Sequence, residues 1–195
     1  MKVGLFGGSF NPVHTGHIYL AEAVLEKTDI DEVWFIISPQ NPFKMNHELV
    51  DENLRKDMVD LMIGHDHRMK ACDIEFNLPR PSYTYTTIET LKEKYPSTEF
   101  EFIIGSDALN NIKSWRNYED IIQMPIIGVI RDGEVIKKDI KDIIKNLNII
   151  HSESDTSSTI IRNYIQSGRI DELENIQLLN KKTIEFIKDN KLYND

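Results

Sequence analysis

The sequence predicts an α/β fold: a doubly wound parallel sheet with helices on both faces and a C-terminal helical segment. Three observations carry this. Short apolar, β-branched runs alternate with stretches of helical period along most of the chain. The first run, Val3-Gly4-Leu5-Phe6, passes through paired glycines into an amphipathic stretch from Ile18 to Lys27. From Thr156 onward the pattern is helical alone. No Gly/Ser/Pro-rich linker, internal repeat or low-complexity segment divides the 195 residues, so a single domain over 1–195 is expected.

Taken in order, Lys2–Phe6 is the first strand and Glu32–Ser38 the second. Met69–Phe76 is the third, Glu99–Ile104 the fourth, Pro125–Ile130 the fifth and Leu147–His151 a short sixth. Between them, Leu54, Met58, Leu61 and Met62 repeat at helical spacing, as do Ile88, Leu91 and Tyr95. Helices are expected over Thr87–Lys94, Ala108–Lys113, Ser157–Ser167 and Asn180–Asn190. Ligands of such sheets bind at the carboxyl ends of the strands, where the first glycine turn sits.

Hydrophobic residues make up 40% and charged residues 28%, as in an ordinary globular chain. The net charge is −9 and no basic stripe is visible, which argues against a general nucleic-acid binder. No apolar run of about 18 residues exists, so no membrane partner is expected. The N-terminus enters strand pattern without a signal-peptide layout, pointing to the cytoplasm. Cys72 is the single cysteine; it excludes an intramolecular disulfide and reads as a buried small hydrophobe.

The turn Gly7-Gly8-Ser9-Phe10-Asn11-Pro12-Val13-His14-Thr15-Gly16-His17 carries the strongest chemical signal. Gly7 and Gly8 let the backbone bend sharply and approach a ligand closely. Pro12 fixes its own φ and biases Asn11 toward extended backbone. Thr15 is the expected helix cap, which puts His14 just outside the helix and His17 in its first turn, both on one side. A helix start offers unpaired N–H groups and partial positive charge, and so attracts phosphate. Histidines there add donors to a phosphate whose charge is shifting. The segment has neither the Gly-Lys-Ser/Thr of a P-loop nor Gly-x-Gly-x-x-Gly. Two histidines without a nearby Cys, Asp or Glu make a poor zinc site. An ordinary strand–helix turn with two surface histidines is the bland alternative.

Two further segments read the same way. Ser157 is a natural N-cap within a hydroxyl-rich run. Arg162, about one turn in, can present a bidentate fork to phosphate. Gly105 closes the fourth strand and Asp107 can accept ribose hydroxyls. A capped helix with a surface arginine, and a plain N-cap at Asp107, are the alternatives.

Gly-Gly-Ser-Phe-Asn-Pro-x-His-x-Gly-His resembles the signature of the nucleotidyltransferases with a Rossmann-like fold and an (H/T)xGH motif. Within that group it is most similar to the bacterial nicotinate-nucleotide adenylyltransferase family, which joins nicotinate mononucleotide to the AMP part of ATP in NAD biosynthesis. The resemblance runs along nearly the whole chain. It implies a Rossmann-like core with the C-terminal helices folding back over the nucleotide. Ser157-Ser158-Thr159-Ile160-Ile161-Arg162 resembles the family's triphosphate-holding Ser-Ser-Thr-x-Ile-Arg. ATP is then expected at Gly7, Gly8, Ser9, Phe10, His17, Gly105, Asp107, Ser157, Ser158 and Arg162, with Arg131 near the adenine. Pro81-Ser82-Tyr83-Thr84 resembles the family's Ser-Tyr-Thr segment, whose hydroxyls and N–H groups receive the nicotinate carboxylate. With Ser9, Lys44 and Trp115, which the family sets near the pyridine ring, Ser82, Tyr83 and Thr84 make the expected mononucleotide site. At the loop after the second strand Phe43 precedes Lys44 where the family has His-Lys, and Asp132 departs from the family's Arg-Pro-Gly.

The implied reaction needs no protein nucleophile. The mononucleotide phosphate attacks the α-phosphorus of ATP in line, by positioning and charge stabilisation. His14, His17, Lys44 and Arg162 are the expected catalytic residues, and Mg²⁺ on the substrate phosphates the expected cofactor. ATP and nicotinate mononucleotide are the expected small-molecule partners, with a homo-oligomer left open. Adenylyl transfer to nicotinamide mononucleotide or phosphopantetheine, or ATP sensing without catalysis, are the rival readings.

Overall fold

The computed structural model describes residues 1–40, 49–131, 133–152 and 156–194. Six strands form one parallel sheet: β1 (Lys2–Gly8), β2 (Glu32–Ile37), β3 (Met69–Cys72), β4 (Glu99–Gly105), β5 (Ile126–Arg131) and β6 (Leu147–Ser152). Their order across the sheet is β3-β2-β1-β4-β5-β6. The chain winds outward from β1 in one direction, then returns to the other side of β1 and winds outward again. The order reverses between β1 and β4, and a crevice opens there at the carboxyl ends of both strands.

The helices are α1 (Thr15–Lys27), α2 (Glu52–Ile63), α3 (Thr84–Lys94), α4 (Ser106–Leu109), α5 (Tyr118–Ile121), α6 (Lys138–Lys141), α7 (Ser158–Gln166), α8 (Glu172–Asn175) and α9 (Lys181–Asp189). They cover two apolar layers, one on each face of the sheet. One gathers Phe6, Val24, Phe35, Met58, Ile161 and Ile184 beneath α1, α2, α7 and α9. The other gathers Leu5, Trp34, Leu91, Phe102, Leu109 and Ile121 beneath α3, α4 and α5. Alternate residues of each buried strand point to opposite faces, which is why β1 to β5 read as near-continuous apolar runs. No helix among the described residues is long and apolar enough to cross a membrane.

Three element expectations need correction. The third strand stops at Cys72, and Ile74–Asn77 coils into one 3-10 turn. The helix expected from Thr87 starts three residues earlier, at Thr84, so the Ser-Tyr-Thr segment forms its entry. The stretch expected as a helix over Ala108–Lys113 is two short pieces, α4 and a 3-10 turn over Ile112–Ser114. Cys72 is a buried free thiol, as its apolar surroundings imply.

Candidate active site

Strand β1 delivers Gly7 and Gly8 to the crevice. A Cβ on Gly8 would lie 2.8 Å from the Phe10 ring, so only glycine leaves room for that ring. Phe10 takes a left-handed φ of 46° and turns its side chain into the core, against Phe6, Phe35 and His17. The ring is thus withdrawn from any ligand, and the backbone of Phe10 is what remains to meet a nucleotide.

His14, not Thr15, is the N-cap of α1, with extended backbone. The Thr15 N–H instead donates to the Leu178 carbonyl at 3.1 Å. The backbone N–H of His14 donates to His17 Nδ1 at 3.2 Å, which leaves the His17 proton on Nε2. The two imidazoles lie 3.7 Å apart, centroid to centroid, tilted by 34°. His14 is only 3% exposed, and its Nδ1 is buried without a hydrogen-bond partner. Burial, with the Arg131 guanidinium adding to it, holds the His14 imidazole down at about 3, so the ring is neutral. His17 is half-buried and is therefore the more accessible of the pair.

A second helix start meets the same turn. Ser157 caps α7, its Oγ accepting from the Ile160 N–H at 3.3 Å. Ser158 Oγ donates to the Pro12 carbonyl at 2.8 Å. Both hydroxyls are thus engaged within the protein, and the first-turn N–H groups of α7 are what it offers an anion. Arg162 donates to the Asn11 carbonyl at 2.7 Å and to Thr159 Oγ1 at 3.1 Å. These bonds draw residues 157–162 onto residues 11–17 from the far end of the chain.

Two residues outside the expected site set hold this turn: Tyr193, in a C-terminal segment that resembles the family's ending and is expected to pack rather than react, and Arg55. Tyr193 donates its hydroxyl to Asn11 Oδ1 at 2.9 Å, and burial raises its phenol well above the ordinary value. Arg55, fully buried on α2, donates to four carbonyls: Val50, Ser9, Ser38 and Pro39. It ties the end of β1 to the end of β2. Its signal was there to read, because residue 55 falls on the same apolar helix face as Met58 and Met62.

On the other side of β1 lies a cavity of about 360 Å³. Gly7, Gly8, Ser38, Ser82, Tyr83, Thr84 and Thr87 line it beside Leu5, Ile88, Phe102 and Trp115. Trp115 stands edge-on to Phe102, ring centroids 6.0 Å apart, and Arg116 covers the Tyr83 ring at 5.0 Å. Tyr83 is the N-cap of α3 and makes no side-chain cap, so the first-turn N–H groups face an uncapped entry. Ser82 is buried, its Oγ 3.1 Å from Ser38 Oγ. Glu75 is buried at the lining, a carboxyl between Ile74 and Phe76 that the expected site set does not include. Ser38, Arg116 and Glu75 are thus additions to the expected set, and Ser82, Tyr83, Thr84 and Trp115 come together as expected.

Gly105 ends β4 with nothing within 4 Å of where a Cβ would stand. Asp107 is exposed just beyond it, inside α4 rather than at its cap. Arg131 ends β5 exposed, and its N–H donates to Glu134 at 3.2 Å. Lys44 lies outside the described residues.

A parallel sheet of this order, with two helix starts and a histidine pair at its reversal point, defines an α/β nucleotide-binding domain built around phosphate. The chain belongs to the cytidylyltransferase-like family, which it matches over residues 5–164, and within it to the nicotinate-nucleotide adenylyltransferases. It is 38% identical over 196 residues to a Cytophaga hutchinsonii protein named "Probable nicotinate-nucleotide adenylyltransferase", with 100% of both chains covered. A Flavobacterium johnsoniae protein of the same name is 40% identical over 200 residues, with 99% of both covered. Among solved structures, Plasmodium falciparum nicotinic acid mononucleotide adenylyltransferase complexed with NaAD superposes with a TM-score of 0.83 at 22% identity. The match covers 98% of this chain and 97% of that one, and shows the shared fold.

Proposed function

We propose that this chain transfers the adenylyl group of ATP to nicotinate mononucleotide, releasing pyrophosphate and forming nicotinate adenine dinucleotide. The observation that carries the reading is the pair of sites flanking β1. A phosphate-binding turn, met by two helix N-termini, lies on one side and an aromatic-walled cavity with an uncapped helix entry on the other. One nucleotide in each puts their phosphates together over Gly7 and Gly8.

The acceptor phosphate attacks the α-phosphorus in line and pyrophosphate leaves, so catalysis is positioning and charge stabilisation. His17 Nε2–H donates to the α-phosphate oxygen as charge moves there. His14 stacks behind it as a neutral ring, held in place by burial. The first-turn N–H groups of α7 and the guanidinium of Arg162 receive the β- and γ-phosphates. Asp107 takes the ATP ribose and Arg131 stands by the adenine; Lys44, outside the described residues, is assigned to the acceptor phosphate on the family resemblance alone. Tyr83, Thr84 and Trp115 hold the pyridine ring and its carboxylate.

Mg²⁺ enters with ATP. The groups facing the phosphates are imidazole, guanidinium and N–H, all donors. No cluster of three or more His, Cys, Asp or Glu among the described residues could hold a metal ion. A hard divalent ion brought in on the nucleotide would supply charge neutralisation on the leaving pyrophosphate, while His17, Arg162 and the first-turn N–H groups of α7 bind the phosphates directly. We place the reaction in the cytoplasm, where the lone Cys72 stays a thiol.

The test is pyrophosphate release from ATP with nicotinate mononucleotide, nicotinamide mononucleotide or phosphopantetheine as acceptor. The reading expects the first to give the highest kcat/KM. Binding of ATP with no pyrophosphate release in the presence of any of the three acceptors would leave only an ATP sensor. His17→Ala should lower kcat by about 10²–10³, the typical loss of one preorganised donor; near-normal turnover in a folded variant would refute the mechanism.

A further inference from the structure

The carboxyl of Glu75 is not needed by the reaction outlined above, yet it is buried in the wall of the acceptor cavity. The 3-10 turn after β3 places it there, 7% exposed. Oε1 accepts from Thr87 Oγ1 at 2.7 Å. Oε2 is buried and has no hydrogen-bond partner. A buried carboxyl oxygen left in this state is costly, and none of the described residues closes a hydrogen bond on it, although the Ser38 and Ser82 hydroxyls stand nearby.

The surroundings decide which partner fits. From the end of β2 the carboxyl faces the hydroxyl of Ser38, and from the entry and first turn of α3 those of Ser82 and Thr87. Its own element follows Cys72, a thiol that burial keeps neutral. Across the cavity the only lining cation among the described residues is Arg116, exposed and laid over the Tyr83 ring. Among the described residues no cation pairs with Glu75. Burial raises the carboxyl from its ordinary value, and the three hydroxyls offset this in part. A neutral carboxyl with one oxygen already accepting has a single unused O–H, and the chemistry that completes it is an acceptor, best a charged one.

We propose that Glu75 is the residue by which this cavity prefers a ring carboxylate over a ring carboxamide: it stands as a neutral acid and donates Oε2–H to the carboxylate of the bound nucleotide. The proposal rests on the reading that the cavity takes a pyridine mononucleotide. It explains why a carboxyl is tolerated beside a carboxylate-bearing substrate. Ionised, Glu75 would repel the acid and accept instead from an amide N–H. Its proton therefore sets the direction of the preference. Discrimination through a buried polar partner is also the strong kind, since the wrong ligand leaves that partner unmet.

The experiment is the ratio of kcat/KM for nicotinate mononucleotide to that for nicotinamide mononucleotide, in wild type, Glu75→Leu and Glu75→Gln, from pH 6 to 9. The ratio cancels titration of ATP and of the shared phosphate, and general damage to the fold. Glu75→Leu removes the donor while leaving Thr87 Oγ1 the Tyr83 carbonyl, 3.3 Å away. Its ratio should fall at least tenfold, through a raised KM for the acid. Glu75→Gln keeps a neutral donor and should hold most of the preference without pH dependence, whereas the wild-type ratio falls toward alkaline pH. A Glu75→Leu ratio within twofold of wild type overturns the proposal, as does a wild-type ratio that rises with pH. Should neither variant fold, the wild-type profile decides alone. Pyrophosphate release with neither acceptor sinks the reading of the cavity itself, a failure distinct from an unchanged ratio.

Discussion

Lowering the pH from 7.5 to 5.0 should cost this fold about 2 kcal/mol through one imidazole. His14 is 3% exposed, and burial holds it at about 3 in the folded chain, against 6.5 as its ordinary value. Below 6.5 the unfolded chain takes up a proton that the folded chain refuses. The stability is therefore complete above that value and drains away as the pH falls toward 3. At pH 5 the unfolded form is almost fully protonated at this ring and the folded form almost not at all, which gives the figure of about 2 kcal/mol. In a chain of 195 residues this is about 4–8 °C in Tm. Other groups titrate over the same range, so the assay is a double difference. Urea unfolding is followed at pH 7.5 and 5.0 for wild type and for His14→Asn, asparagine being a competent N-cap. Wild type should lose about 2 kcal/mol more than the variant between the two conditions. Losses that agree to within about 0.5 kcal/mol would show that His14 protonates freely in the folded state, and the argument for a neutral ring behind His17 would go with it.

Arg55→Met should be the most damaging single change outside the histidine pair. Four carbonyls lose their donor, and each buried acceptor left unmet costs about 1–3 kcal/mol. Thermal unfolding checks it, and a Tm within 2 °C of wild type would contradict the role given to this side chain. Tyr193→Phe removes one neutral hydrogen bond, worth about 1 kcal/mol, while Asn11 Oδ1 keeps the Val50 N–H at 3.3 Å. The urea midpoint should move accordingly. Because the buried phenol is raised, it stays uncharged on the alkaline side, and the Tyr193→Phe pH–rate profile should overlay that of wild type above pH 8.

The sheet was legible because burial on both faces writes apolar runs directly into the strands, and all six runs became strands within two residues of their expected starts. Entry points were harder. Thr15 looked like the cap, yet the position fell to His14, whose ring is held by stacking and burial rather than by the hydroxyl logic of a cap. Phe10 sits in a motif that reads as ligand-binding, but its left-handed backbone sends the ring inward, and no local pattern announces that. Ser157 was readable as a cap because capping is local. The grip of Arg162, Ser158 and Tyr193 on Asn11 and Pro12 spans almost the whole chain, and only the tertiary fold brings them together. Arg55 and Glu75 were visible as polar residues in apolar patterns, but their partners, mostly backbone carbonyls in one case and threonine and serine hydroxyls in the other, leave no trace in sequence.

The position of β1 also fixes an order of events. It pairs with β2 through Val3 and Glu32, close in sequence, but its other edge waits for β4, where Lys2 meets Glu99. A ribosome that has made the first half of the chain has built one wall of the crevice and left the middle strand of the finished sheet as a bare edge. Phe102, Trp115 and Gly105 arrive only with the second half. Pairings over such a separation close slowly. The cavity beside β1 is therefore closed late, when β4 and the segment carrying Trp115 join the sheet.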